Sequence, residues 1–146
     1  MTDVERNIDV VRQLEDAYNR RDYSVLGELV RDDLVAHTPS ADPAKQDGEG
    51  LTANNEGGFS AFPDKRTEIV EIFGDGDRVV SHVQMTGTND GGLPWAGVPA
   101  NGKQVDYDWI QISRHADDGT IQETWAQIDV PKLMQQLGAM PAPGGM

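Results

Sequence analysis

The feature that most constrains this 146-residue chain is a change of hydrophobic period part-way along it. Between residues 3 and 20, DVERNIDVVRQLEDAYNR, the residues Val4, Ile8, Val11, Leu14 and Tyr18, with Val10, recur at steps of three and four. That is one stripe of an amphipathic helix. From Lys65 the period falls to two, and Thr67, Ile69 and Phe73 alternate with Glu68, Val70 and Ile72. One element cannot serve both periods, so the chain places helices first and strands after.

The punctuation agrees. GDGD at 74–77 is a hairpin turn, and RVVSHVQMTGT at 78–88 is the returning strand. A long loop, 89–102, carries Trp95 and two prolines. QVDYDWIQISR (104–114) and TIQETWAQIDV (120–130) follow as strands, joined by the tight turn HADDG, which puts His115 toward solvent. Earlier, YSVLGELV reads as a short helix and DDLVAHTP as a short strand. A loop at 38–50 and a short helix with Phe59 and Phe62 as its apolar contacts come next. Pro131 suits a first helical position, with Asp129 near the N-cap and Gly138 as the C-cap. The expected class is α+β: a curved antiparallel sheet wrapped around N-terminal helices, one domain over 1–138, with a flexible tail at 139–146. Three helical pieces cannot cover such a sheet. The uncovered concave part becomes a pocket for a small apolar or aromatic molecule.

Charge and motif content remove several classes. A formal net charge of -13 repels phosphate backbones and argues against nucleic acid. No apolar run approaches a membrane span, and the acidic N-terminus lacks a secretory pattern, so a cytoplasmic location is expected. With no cysteine and no H-x-H or H-x-x-x-H spacing, no metal is expected. Phosphate-loop, dinucleotide and nucleophile-elbow motifs are missing too, so no organic cofactor or covalent catalysis is expected.

Four stretches carry a resemblance: NRRDYSVLGELVRDDLVAHTP, FSAFPDKRTEIVEIFGDGDRVVSHVQMTGT, GLPWAGVPANGKQVDYDWIQISR and DGTIQETWAQIDVPKLMQQLG. Together they span nearly all of residues 7–138, and they resemble the SnoaL-like polyketide cyclases. The resemblance implies a cone-shaped pocket, cofactor-free chemistry on polyketide-like rings, and pairing into homodimers. It also implies a carboxylate on the last strand, just after the tryptophan, that removes a proton alpha to a carbonyl. A polar or imidazole group on the neighbouring strand supports the enolate. Those two positions hold Ala126 and Gln111 here. Alanine cannot take a proton, and glutamine can donate a hydrogen bond but cannot titrate.

The remaining chemistry has to come from elsewhere. His82, Asp108, Gln111 and His37 are the catalytic candidates. Asp108 would need a bulge to turn inward. Gln111 shares its phase with Tyr107 and Trp109, whereas His82 alternates with Gln84 and Thr86 as a second pocket wall. Tyr107, Trp109, Trp95, Gln84, Thr124 and Phe59 are the ligand-binding candidates. The convex face is expected to expose Ile110, Ile112, Val79 and Val83, an apolar patch suited to a dimer. The expected activity is a cyclase- or isomerase-type proton transfer on an apolar carbonyl compound. A non-catalytic carrier and a ring hydroxylase of the same fold are the alternatives.

Overall fold

The computed structural model describes residues 2–37 and 48–140. The expected tail beyond Met140 and most of the expected 38–50 loop lie outside the described residues. Helix α1 (Asp3–Arg20) starts at a capping box: Thr2 accepts from the Glu5 N–H, and the Glu5 carboxylate accepts from Thr2. It ends on Arg21 in the left-handed region, φ 53°. Its apolar stripe buries Val11, Leu14 and Ala17 as the spacing predicts. A turn of 3₁₀ helix over residues 23–25, capped by Asp22, leads into α2 (Leu26–Leu29), β1 (Val30–His37) and α3 (Gly48–Ala61). Strands β2 (Arg66–Asp75), β3 (Arg78–Thr88), β4 (Gln104–His115) and β5 (Ile121–Ile128) follow, then α4 (Val130–Gln136). Asp129 caps α4 by accepting from the Lys132 N–H.

The five strands lie in the order β1-β5-β4-β3-β2. All neighbours are antiparallel except β1 and β5, which are parallel, so the sheet is not purely antiparallel. The reason is that β1 enters from the helices rather than through a hairpin.

Two apolar clusters hold the helices on one face of the sheet. Val11, Leu14, Leu26, Leu29, Val79 and Ile121 form one beneath α1. Phe62, Met85, Leu93, Val105, Tyr107, Leu133 and Leu137 form the other, where α3, the 89–103 loop and α4 meet the sheet. Each fully buried aliphatic side chain contributes about 1.5–3 kcal/mol.

Local irregularities change the expected facing. The register between β2 and β3 shifts between Ile69 and Glu71. This bulge reverses the phase of β2, so Ile72 pairs with Ser81 on the covered face and Phe73 turns outward, 55% exposed. Val79 and Val83, expected on the convex side, are 1% and 0% exposed and belong to the covered face. β4 runs one residue beyond its expected end and takes His115 inward, to 3% exposure, rather than to solvent. β4 also outruns β5, which stops opposite Trp109. There the Gln136 side chain of α4 substitutes for a strand: its amide accepts from the Asp106 N–H (2.8 Å) and donates to the Asp106 carbonyl (2.7 Å).

Candidate functional site on the inner face of the sheet

The register of β3, β4 and β5 fixes which side chains share the covered face. Ser81 pairs with Gln111, and Gln111 with Ala126, forming one row across three central strands. Val83, Trp109 and Ile128 form the next row, and Val79, Ser113 and Thr124 the row on the other side. Tyr107 stands beyond Trp109, with ring centroids 6.1 Å apart. The Ser81–Gln111–Ala126 row therefore lies between the two apolar clusters.

Several polar side chains of this face make no hydrogen bond within the protein. Among the described residues, Ser81, Gln111, Thr124, Tyr107 and Trp109 make no side-chain hydrogen bond. Only one side-chain polar atom among the described residues is both sealed from solvent and unpartnered, and it is Nε of Arg6. The hydroxyls of Ser81 and Thr124 and the Gln111 amide consequently open onto space that water can enter, although Ser81 and Thr124 are 3% and 4% exposed. Three hydrogen-bonding groups that the protein leaves unused, on an otherwise apolar strip of the sheet, are what a small carbonyl-bearing ligand requires. Burial pushes the Tyr107 phenol up to about 12, so it remains a donor at any ordinary pH.

The register separates the catalytic candidates. His82 and Asp108 are on the opposite, outer face, joined by a 2.5 Å contact between Nε2 and Oδ2. The register of β3 with β4 is unbroken from Arg78 to Thr88, so no bulge brings Asp108 inward. The hydrogen bond from His82, aided by Lys132 at 3.6 Å, holds the Asp108 carboxyl below its ordinary range. Gln84 is also outer and donates to Asp106 at 2.7 Å. His37 lies on that face at the β1 edge, 2.8 Å from Glu123 and stacked on Trp125. Trp95, 51% exposed, sits in the short 3₁₀ turn Pro94–Ala96, and Phe59 is buried in α3 with the cations of Arg21 and Lys65 over its ring. Of the candidates, only Gln111, Tyr107, Trp109 and Thr124 share the inner face.

Ser81 is an inner-face candidate that the sequence reading missed, yet a signal for it existed. In β3 the odd residues Val79, Val83 and Met85 are apolar, whereas the even ones include His82, Gln84 and Thr86. The odd phase had to be the core phase, and Ser81 belongs to it. His115 is buried with its Nδ1 bonded to the Gly119 carbonyl (2.7 Å) and its Nε2 accepting from Ser113 (2.8 Å). Burial lowers its pKa, so it stays neutral. No group of three or more His, Asp or Glu side chains suited to a metal ion occurs among the described residues. An open groove of about 500 Å³ lies at the far end of β3 and β4, between Asp64, Thr88, Gln104 and Gln136, away from the inner row.

Comparison with known proteins bears on this geometry. No curated protein matches the chain. Among solved structures, AclR of Streptomyces galilaeus, a candidate hydroxylase, superposes with a TM-score of 0.79 at 26% identity, over 95% of this chain and 85% of that one. A candidate SnoaL-like polyketide cyclase from Jannaschia sp. CCS1 gives 0.79 at 25% identity, over 97% of both chains. IdmH of Streptomyces antibioticus, a candidate polyketide cyclase, gives 0.77 at 27%, over 90% of this chain and 98% of its own. The family model for SnoaL-like polyketide cyclases matches residues 8–137, and the helices-then-strands order with a lined inner face accords with it. The chain therefore belongs to the SnoaL-like polyketide cyclase family.

Proposed function

We propose that the protein binds a polyketide-like carbonyl compound against the Ser81–Gln111–Ala126 row and promotes its cyclisation without a cofactor. The observation that carries this reading is the set of unpartnered inner-face groups, Ser81, Gln111 and Thr124. The Gln111 amide and the Ser81 hydroxyl donate to the oxygen on which negative charge develops. A 1,3-dicarbonyl substrate supplies its own nucleophile as an enol. The enol carbon attacks a second carbonyl, the enol proton passes to the new alkoxide through the Ser81 hydroxyl, and a carbon–carbon bond forms. No titratable side chain of this face is needed, which suits alanine at 126. Trp109, Tyr107 and Ile128 hold the chain folded, so proximity supplies much of the rate.

The test is turnover of aromatic 1,3-dicarbonyl intermediates by the wild type, Gln111→Leu, Ser81→Ala and His82→Ala. The first two variants lose kcat/KM and His82→Ala does not. Loss in His82→Ala alone would move the chemistry to the outer face. A second reading, a non-catalytic carrier, is favoured by the lack of any base at Ala126; tight binding with no turnover by any variant is its signature. Oxygen uptake would instead mark a ring hydroxylase; AclR is a candidate hydroxylase.

The same proposal includes a homodimer through the outer face, where Val35, Val70, Phe73 and Ile110 are 46–56% exposed. Light scattering that shows a monomer at micromolar concentration counts against it.

A further inference from the structure

We propose that Tyr107 is a specificity-determining residue: its phenol binds a second oxygen of the substrate, so the inner face selects rigid carbonyl compounds that carry another oxygen at their far end. The proposal rests on the binding of a carbonyl compound along the Ser81–Gln111–Ala126 row and adds the length of that compound to it.

Tyr107 and Gln111 share one phase of β4, four residues apart. At the rise of a strand their Cα atoms stand about 13 Å from each other. Trp109 lies between them, in one row with Val83 and Ile128. The strip therefore runs polar, apolar, polar along β4. Trp109, Gln111 and Ile128 are half-buried on the helix side of the sheet, whereas Val105 and Ser113, in the same phase of β4, are buried. The helices thus leave this stretch incompletely covered.

The phenol oxygen is the group that the fold does not use. Tyr107 is 8% exposed and belongs to an apolar cluster with Phe62, Met85, Val105, Leu133 and Leu137. Its ring is held at 6.1 Å from that of Trp109, tilted by 49°. Among the described residues nothing bonds its hydroxyl, and the hydroxyl is not sealed from solvent, because the one sealed and unpartnered side-chain atom is Nε of Arg6. Desolvation alone raises its pKa, with no neighbouring charge or hydrogen bond contributing. A buried donor without a partner is costly, so a fold keeps one where water or a ligand completes it. Ligand oxygens within reach of both Tyr107 and Gln111 stand about 8–13 Å apart. A single aromatic ring is too short to carry both; two fused rings suffice.

The test is calorimetry with 6-hydroxy-2-acetylnaphthalene and 2-acetylnaphthalene on the whole chain, its Tyr107→Phe variant and its Gln111→Leu variant. The wild type should bind the hydroxylated compound about 10-fold more tightly, the worth of one neutral hydrogen bond. Tyr107→Phe should remove that advantage, leave 2-acetylnaphthalene unchanged and keep the melting temperature, since the hydroxyl bonds nothing in the protein. Gln111→Leu should weaken both compounds alike. Equal affinity of the two compounds for the wild type, or an advantage that survives Tyr107→Phe, overturns the proposal; if Gln111→Leu still weakens both, the inner-face reading stands without it. No binding by the wild type, or no effect of Gln111→Leu, overturns both.

Discussion

On the outer face of the sheet, histidine and carboxylate are coupled: His82 with Asp108, and His37 with Glu123. On the inner face, Ser81, Gln111 and Thr124 carry no charge and bind nothing in the protein. The two faces share the same strands, so local sequence alone does not explain the difference. Solvent does. Exposed ion pairs cost little because water and salt screen them. An ionised group on the inner face would lose its hydration, so that face keeps neutral hydrogen-bonding groups. The lesson is that the most conspicuous titratable pairs of the sequence, His82 with Asp108 and His37 with Glu123, lie on the outer face, away from the Ser81–Gln111–Ala126 row.

The strongest attempt to break this contrast is Ala126→Asp. It puts a carboxylate across from Gln111, where burial raises its pKa toward neutrality. If the inner row holds the carbonyl substrate, proton abstraction should raise turnover about 100-fold, measured as kcat/KM. A smaller effect is expected from Gln111→Leu. Losing one neutral hydrogen bond weakens ligand binding about 10-fold by calorimetry. Because Gln111 satisfies no protein group, the melting temperature should hold or rise.

Glu15→Gln sharpens the contrast on the helix side. The Glu15 carboxyl, buried under α1 and bonded to Thr67 at 3.1 Å, has its pKa raised mainly by desolvation. Its stabilisation is full below about 4.5 and is lost as pH rises toward the folded value. Glutamine removes that loss, so the variant should melt higher than wild type at pH 8, with the gap closing by pH 4. The smallest effect belongs to the outer face: His82→Ala should cost about 0.2–1 kcal/mol in urea unfolding, as an exposed pair does. It should leave ligand affinity unchanged.

Much of the architecture was legible. The helical stripe from Val4 to Tyr18, the change of period at Lys65, the Gly-Asp turns and the Asp129 cap each mark an element in local chemistry. Gln111, Tyr107 and Trp109 share a phase along β4, and Thr124 and Ala126 along β5, because alternation within one strand needs no partner; bringing the two sets onto one face took the β4–β5 register. His82 was misplaced, because joining its phase to that of β4 requires the register across a 15-residue connection, residues 89–103. The Val70 bulge, the parallel β1 and the inward His115 also depend on contacts between distant segments.

By itself, then, the sequence determined which segments are helix or strand, because hydrophobic spacing and capping act over a few residues. Tertiary structure alone decided which face each polar side chain serves, because register is set by packing the apolar phases of separate strands against the helices. A shift of one residue would exchange Ser81 for His82 on the inner face.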